Sequence, residues 1–334
     1  MSERFEIETV TDTFWSGETR VLRDRERRSW ARVVPGLGCD LVSFGAEIDG
    51  RAVETFLQPA DEPAVQPPGH FGAPVLYPFP NRLSDGHARF GGRDIQVDRT
   101  PGQRHAIHGL VRDRVWSVVA AETATDAATL VCAVESDAAT ERQFPFKFRL
   151  ALTFQLSGRA LRMGVEGTNL GDAPMPMGFG WHPYFRLPLV PGGDRRAAVV
   201  RIPAQKIWQL DETLVPTGAV VAASPERDFR APRTLGSVHL DDVYTALDRS
   251  DDHSACELGD RSSNLRLRVA AGPTFREWVV YAPATRPTIC FEPYTCPTDA
   301  FNLASRGIDA GVIVLEPGQR WNDWVRLDLG TFGA

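Results

Sequence analysis

The chain is poor in cysteine, and the cysteines it has are not arranged as pairs. Its five, Cys39, Cys132, Cys256, Cys290 and Cys296, are odd in number and scattered, with no Cys-x-x-Cys spacing. That argues against a disulfide framework and a thiolate zinc site, and fits reduced thiols in a cytoplasmic protein. Long hydrophobic runs are missing too: no apolar stretch approaches the about 20 residues that cross a bilayer. The opening MSERFEIETVTDTFW is charged and lacks a basic-then-apolar secretory pattern. Nor does charge of one sign dominate. Lysines and arginines total 37 against 43 acidic residues, a formal net charge of −6, with the two signs interspersed. The clustered basic face that nucleic-acid binding requires is absent. There is no internal repeat, no low-complexity linker and little helical pattern; the Ala-rich stretch 120–128 is broken by threonines and an aspartate.

What is present reads as strands. Ser29 to Leu57 consists of short extended runs broken by Pro-Gly and Asp-Gly turn signals. Arg89 to Val97, RFGGRDIQV, carries a Gly-Gly pair between two short runs, which suits a tight hairpin. In residues 146–165, FKFRLALTFQL and RALRMGV flank Ser157-Gly158, and both arms alternate apolar with polar residues as half-buried strands do. Toward the end LRLRV, WVVYA, ICFEP, GVIVL and WVRLDL follow at short spacing. Closely spaced strands with turn punctuation imply an all-β protein, a large antiparallel β-sandwich or barrel. With 43% hydrophobic residues the chain can bury a large core, and residues 1–334 read as a single domain. The proline-rich stretch Pro59 to Pro80 reads as a long ordered loop carrying function.

Several segments concentrate polar groups beside aromatics and prolines. In YPFPNRL, Tyr77 to Leu83, two prolines stiffen the backbone before Arg82, whose forked guanidinium suits a sugar hydroxyl or ring oxygen. A plain surface arginine would look the same. HAIHGL places His105 and His108 three apart, which on an extended segment points them to opposite faces and leaves no metal-ligand set. His108, before Gly109, reads as a hydrogen-bonding histidine at a strand end. In GFGWHPYFRLP, Gly178 to Pro188, aromatic flanks around His182 offer a wall for sugar C–H faces and partly desolvate the imidazole. An imidazole titrating near neutrality is the natural proton donor to a ring oxygen; the other reading is a core histidine satisfied by a carbonyl. In ICFEPYTCPTDAFNL, Ile289 to Leu303, Glu292 lies inside an apolar strand, where a carboxylate is costly unless paired or working. Burial there lifts its pKa toward that of a useful general base. Finally, LDDVY, Leu240 to Tyr244, holds two aspartates on opposite sides of a strand, so only one of Asp241 and Asp242 can face a given pocket.

Taken together and in this order, these segments resemble the aldose 1-epimerase (galactose mutarotase-like) family. The resemblance is carried by Asn81-Arg82, His108-Gly109, the HPYF of His182 to Phe185, the Asp-x-x-aromatic of Asp241 to Tyr244, and the FEP of Phe291 to Pro293. It runs from about Pro74 to Leu303. It implies a large antiparallel β-sandwich that holds a sugar in a cleft on one curved face. Glu292 would be the general base and His182 the general acid. His108 would bind and polarise the sugar, while Arg82 and Asp241 (or, in the other register, Asp242) would hold its hydroxyls. Ring opening and closure of an aldose by these groups calls for neither a metal nor an organic cofactor, and the expected partner is a small sugar. Two alternatives stay open. A phosphorylated or otherwise anionic hexose would need a cationic cluster, for which Arg112 and Arg114 are candidates. A non-catalytic sugar-binding protein would keep the sandwich without turnover.

Overall fold

The computed structural model describes residues 4–12, 14–15, 17–62 and 70–332. The middle of the Pro59–Pro80 loop, residues 63–69, lies outside the described residues. The architecture is nearly all β, with antiparallel sheets. Local chemistry explains the hairpins. Strands His87–Phe90 and Arg93–Gln96 are joined by Gly91 and Gly92, both at positive φ (54° and 78°), as a two-residue type I′ turn requires. Strands Phe148–Ser157 and Ala160–Asn169 pair over their full length, from Phe148 opposite Asn169 to Ser157 opposite Ala160. Leu152, Phe154 and Leu156 point inward while Gln155 and Ser157 face solvent.

Three large sheets result: a five-stranded meander at residues 5–54, a nine-stranded sheet and an eight-stranded sheet. One contiguous core draws on all three, for example Leu41 and Phe44 from the first, Leu150 and Leu327 from the second, and Trp278 and Phe291 from the third. Two six-residue α-helices, Ala138–Gln143 and Ala300–Ser305, stand among the described residues. Sequence periodicity did not signal them. The first starts at Asp137, whose side chain accepts a hydrogen bond from Thr140 N, an N-cap that satisfies a backbone donor the helix leaves open.

The eight-stranded sheet positions the site. Its central strands are Leu240–Leu247, Glu277–Ala282 and Thr288–Tyr294, and the last also pairs with Gly180–Trp181 and Tyr184–Arg186. Side chains alternate between faces along each strand. One face sends Tyr244, Trp278, Val280, Phe291, Trp181 and Phe185 into the common core. The other carries Glu292 between two smaller apolar clusters. One contains Val279, Tyr294 and Leu303; the other contains Tyr184, Cys290 and Phe71.

Candidate active site

Glu292 and His182 meet on that second face. Glu292 lies opposite Val279 in the ladder, and His182 occupies the short link between Gly180–Trp181 and Tyr184–Arg186, tied by its backbone N–H to Pro74 O at 3.0 Å. Gly180 makes the approach possible, since a Cβ there would fall 2.7 Å from the Tyr294 ring. Nε2 of His182 stands 3.4 Å from Oε1 of Glu292. Both side chains are buried, with 7% and 1% of their residue surface exposed. Glu292 is therefore not a strand-end carboxylate in solvent. Its other oxygen, Oε2, accepts a 2.5 Å hydrogen bond from the Tyr294 hydroxyl. Tyr184 stacks on His182 with ring centroids 4.5 Å apart, and its hydroxyl lies 3.4 Å from Nε2.

His108 and Arg82 come from two crossing loops. His108 has φ 71° and donates its backbone N–H to Asn81 O at 2.8 Å; its ring meets that of His182 edge-on at 5.3 Å. Gly109 beside it crosses Tyr77 so closely that a Cβ would lie 2.2 Å from the Tyr77 carbonyl oxygen. Arg82 is held locally by its bond to Asn81 Oδ1 at 2.8 Å. Asp299 clamps the same loop, donating its N–H to Arg82 O at 2.9 Å and accepting from Ser84 N and Oγ at 2.9 and 2.8 Å. His105 serves structure instead: its Nδ1 accepts from Asp85 N at 3.0 Å.

The doubled aspartate separates cleanly. Asp241 lies opposite Tyr281, which lies opposite Cys290, two residues before Glu292; all share the face of Glu292. Asp242 points the other way and pairs with Arg227 Nε at 2.8 Å. Trp181 also belongs to the opposite face and is buried in the core, so Tyr184 alone of that pair stands on the side of the site.

The electrostatics follow from burial. Desolvation pushes the Glu292 carboxyl well above its ordinary range, with the Tyr294 hydrogen bond and the Arg82 charge pulling back. Desolvation lowers His182 to about 3, and the guanidinium groups of Arg112 and Arg286 act in the same direction. His108 is likewise held low, by burial first and then by His182, Arg112 and Arg82. Asp241 is accessible, yet the groups around it thin its hydration and raise its pKa, against the pull of Arg82. A buried carboxyl and a buried imidazole in contact both resist charge, so the pair holds one proton between them.

Other residues join that sequence reasoning did not single out. Tyr294, Cys290 and Tyr281 share the face of Glu292, and period-two spacing would have found the first two. His182, Cys290 and Glu292 bring an imidazole, a thiol and a carboxylate within 4.8 Å of one another. Arg286 is anchored to Glu62 at 2.5 Å and lies over the Tyr184 ring at 5.5 Å. Of the two loop arginines, Arg112 is within electrostatic reach of both His108 and His182, whereas Arg114 is spent on Asp137, 2.7 Å away.

Comparison with known proteins places the chain as a whole. The aldose 1-epimerase family model matches residues 24–328. The chain belongs to the aldose 1-epimerase family. Among relatives, human galactose mutarotase is 26% identical over 268 residues, covering 76% of this chain and 73% of that protein. The uncharacterised Escherichia coli protein YihR is 25% identical over 185 residues, and the match spans only 57% of its length and 55% of this chain. A galactose mutarotase-like protein from Clostridium acetobutylicum superposes with a TM-score of 0.86 at 21% identity, covering 98% of this chain and 99% of that one. Galactose 1-epimerase from Lactobacillus acidophilus gives 0.75 at 17% identity, with 99% of both chains covered. At those identities the structural likeness concerns the fold, which is that of galactose mutarotase-like proteins.

Proposed function

We propose that this member of the aldose 1-epimerase family is an active isomerase that interconverts the α and β anomers of an aldose, with Glu292 as general base and His182 as general acid. The buried 3.4 Å contact between His182 Nε2 and Glu292 Oε1 is the observation that carries this reading. A pair sharing one proton can take a proton at one atom while releasing it at another. The shared proton rests on Glu292 and must first pass to His182 across their contact; Glu292 as carboxylate then removes the proton of the O1 hydroxyl, and His182 as imidazolium gives one to the ring oxygen. The C1–O5 bond breaks as the aldehyde C=O forms. Rotation about C1–C2 presents the other carbonyl face, and the same groups in exchanged roles close the ring. The pair ends with one proton, as it began, and no bond forms between carbon and protein, so these steps call for neither a metal nor an organic cofactor.

Arg82, His108 and Asp241 surround the pair and supply donors and an acceptor for sugar hydroxyls. His108 Nδ1 is buried without a protein partner among the described residues, a donor or acceptor suited to a ligand. The contiguous core supports reading residues 1–334 as one domain, and five buried free thiols suit the cytoplasm. Among the described residues no helix is long and apolar enough to cross a membrane.

A second reading, a phosphorylated or otherwise anionic hexose as substrate, is favoured by one observation: Arg112 reaches both histidines electrostatically and is half-buried, with the exposed Asp113 its ion-pair partner among the described residues. Anomer exchange followed by polarimetry or NMR from pure α-anomers decides. Acceleration with a neutral aldose, lost in Glu292→Gln, supports the first reading. Acceleration with hexose 6-phosphates alone, lost in Arg112→Ala, supports the second. Sugar binding with no exchange in either case overturns the enzymatic reading.

A further inference from the structure

Cys290 takes no part in the proton transfers above, yet it stands among the groups that do. It precedes Glu292 by two residues on strand Thr288–Tyr294, so both side chains leave the same face, and it lies opposite Tyr184, two residues beyond His182. The three donors lie within 4.8 Å of one another, and each residue is more than nine-tenths buried (7% exposed for His182, 0% for Cys290, 1% for Glu292). We propose that His182 Nε2, Cys290 Sγ and Glu292 Oε1 form an inhibitory site for a thiophilic divalent cation of the zinc class. The inhibitory part rests on the acid–base reading above; the binding part does not.

The donor set and its geometry argue for this. Imidazole, thiolate and carboxylate together match a borderline-soft ion and are a poor cage for magnesium or calcium, which take oxygen ligands. A tetrahedral ion with bonds of about 2.0–2.3 Å spaces its donors roughly 3.3–3.8 Å apart. His182 and Glu292 already stand 3.4 Å apart, and the remaining closure, at most about 1.5 Å, is within the reach of a side-chain rotation. Glu292 is pre-oriented: Tyr294 holds Oε2 and leaves Oε1 toward the imidazole, the service an outer hydrogen bond performs for a ligating carboxylate.

Charge balance is equally direct. Binding releases the thiol proton of Cys290 and the proton shared by His182 and Glu292 to the solvent. The resulting thiolate and carboxylate neutralise the two positive charges of the ion, which removes the burial penalty that otherwise keeps Cys290 a thiol. Of the nearby cations, Arg286 is paired with Glu62, Arg82 is within electrostatic reach of Asp241, and Arg112 is paired with the exposed Asp113. With the ion in place the lone pairs of both acid and base are occupied. The fourth position of such a three-ligand site is left for water or a sugar hydroxyl.

The test uses the full chain, stripped with a chelator and titrated with Co²⁺ as a spectroscopic probe and Zn²⁺ as competitor, with no sugar present. The expected result is one equivalent of Co²⁺ with a thiolate-to-cobalt charge-transfer band, displaced by Zn²⁺. Cys290→Ser abolishes the band, and His182→Ala weakens binding at least about 10-fold while keeping it. Cys290→Ala, checked by near-ultraviolet circular dichroism for native packing, serves if the serine variant does not fold. In the exchange assay Zn²⁺ inhibits the wild type reversibly, and Cys290→Ser needs at least about 10-fold more Zn²⁺ for half-inhibition of its own metal-free rate. Cobalt binding without the band, or a band unchanged in Cys290→Ser, overturns the site, and zinc sensitivity unchanged in that variant overturns its inhibitory role. A band dependent on Cys290 in a chain without anomer exchange leaves the binding site standing and removes the functional reading instead.

Discussion

The hydroxyl of Tyr294 donates a 2.5 Å hydrogen bond to Oε2 of Glu292, two residues back on the same strand and the same face. Burial favours the neutral carboxyl, and this bond favours the carboxylate, so the two oppose each other at the proposed base. Replacing Tyr294 by Phe removes the opposing contribution and raises the Glu292 pKa further. The acid limb of the kcat/KM profile then moves to higher pH, and kcat at neutral pH falls about 10-fold, the scale of one charge-assisted hydrogen bond. KM changes little. A pH–rate profile that superposes on the wild type refutes this role for Tyr294.

Removing either member of the acid–base pair costs more. Glu292→Gln and His182→Asn are each expected to lower kcat by about 10²- to 10⁴-fold, with near-native melting temperatures. The double variant should lose little beyond the worse single one, because two groups passing one proton act as a unit. Steady-state rates for all three proteins check this, and strictly multiplicative losses would speak against a shared proton.

The two adjacent aspartates should separate by assay. Asp241→Asn weakens sugar binding and raises KM, since its side chain faces Arg82 and the base. Asp242→Asn breaks the 2.8 Å pair with Arg227, whose side chain is 39% exposed, and costs about 0–1 kcal/mol of stability with KM unchanged. Kinetics and denaturant melts on both variants measure this; a KM effect confined to Asp242 would reverse the assignment.

Glu277 offers a test of stability against pH. It is buried, 1% exposed, and desolvation raises its pKa to about 8, with the neighbouring Thr245 and Trp208 opposing. A carboxyl raised in the folded state is protonated there and ionised in the unfolded chain between roughly pH 4.5 and 8. Its full stability is present below pH 4.5 and is lost as pH rises toward 8. Glu277→Gln should therefore gain on the order of a few kcal/mol relative to wild type at pH 8–9, and nothing below pH 4.5. Denaturant melts at both pH values decide, and a constant difference would sink the argument.

Much of this was legible in the sequence, for physical reasons that differ residue by residue. The hairpins at Gly91-Gly92 and Ser157-Gly158 are written locally, in turn residues and period-two alternation. Glu292 betrayed itself as a carboxylate in an apolar strand. Tyr294 and Cys290 did not, because an aromatic ring and a thiol in such a strand look like ordinary packing; only the partners they face give them meaning. Asp241 could not be told from Asp242 until the ladder through Tyr281 and Cys290 fixed the register. Trp181 reads as a cleft aromatic beside His182, but alternation turns it into the core. The pairing of Thr288–Tyr294 with Gly180–Trp181 joins segments more than a hundred residues apart, and no local signal encodes it.

The clamp of Asp299 on the Arg82 loop has a consequence for biosynthesis. Glu292, its hydroxyl partner Tyr294 and the Asp299 that clamps the Arg82 loop all belong to the stretch between Thr288 and Asp299, whereas Arg82, His108 and His182 are translated long before. A growing chain that has reached Ala282 holds His182 but neither Glu292 nor the clamp. Under the proposed roles such a chain would lack its general base however well its earlier hairpins have formed, and it would still await Arg320–Thr331, the strand that joins Ala160–Asn169 to Leu265–Ala271.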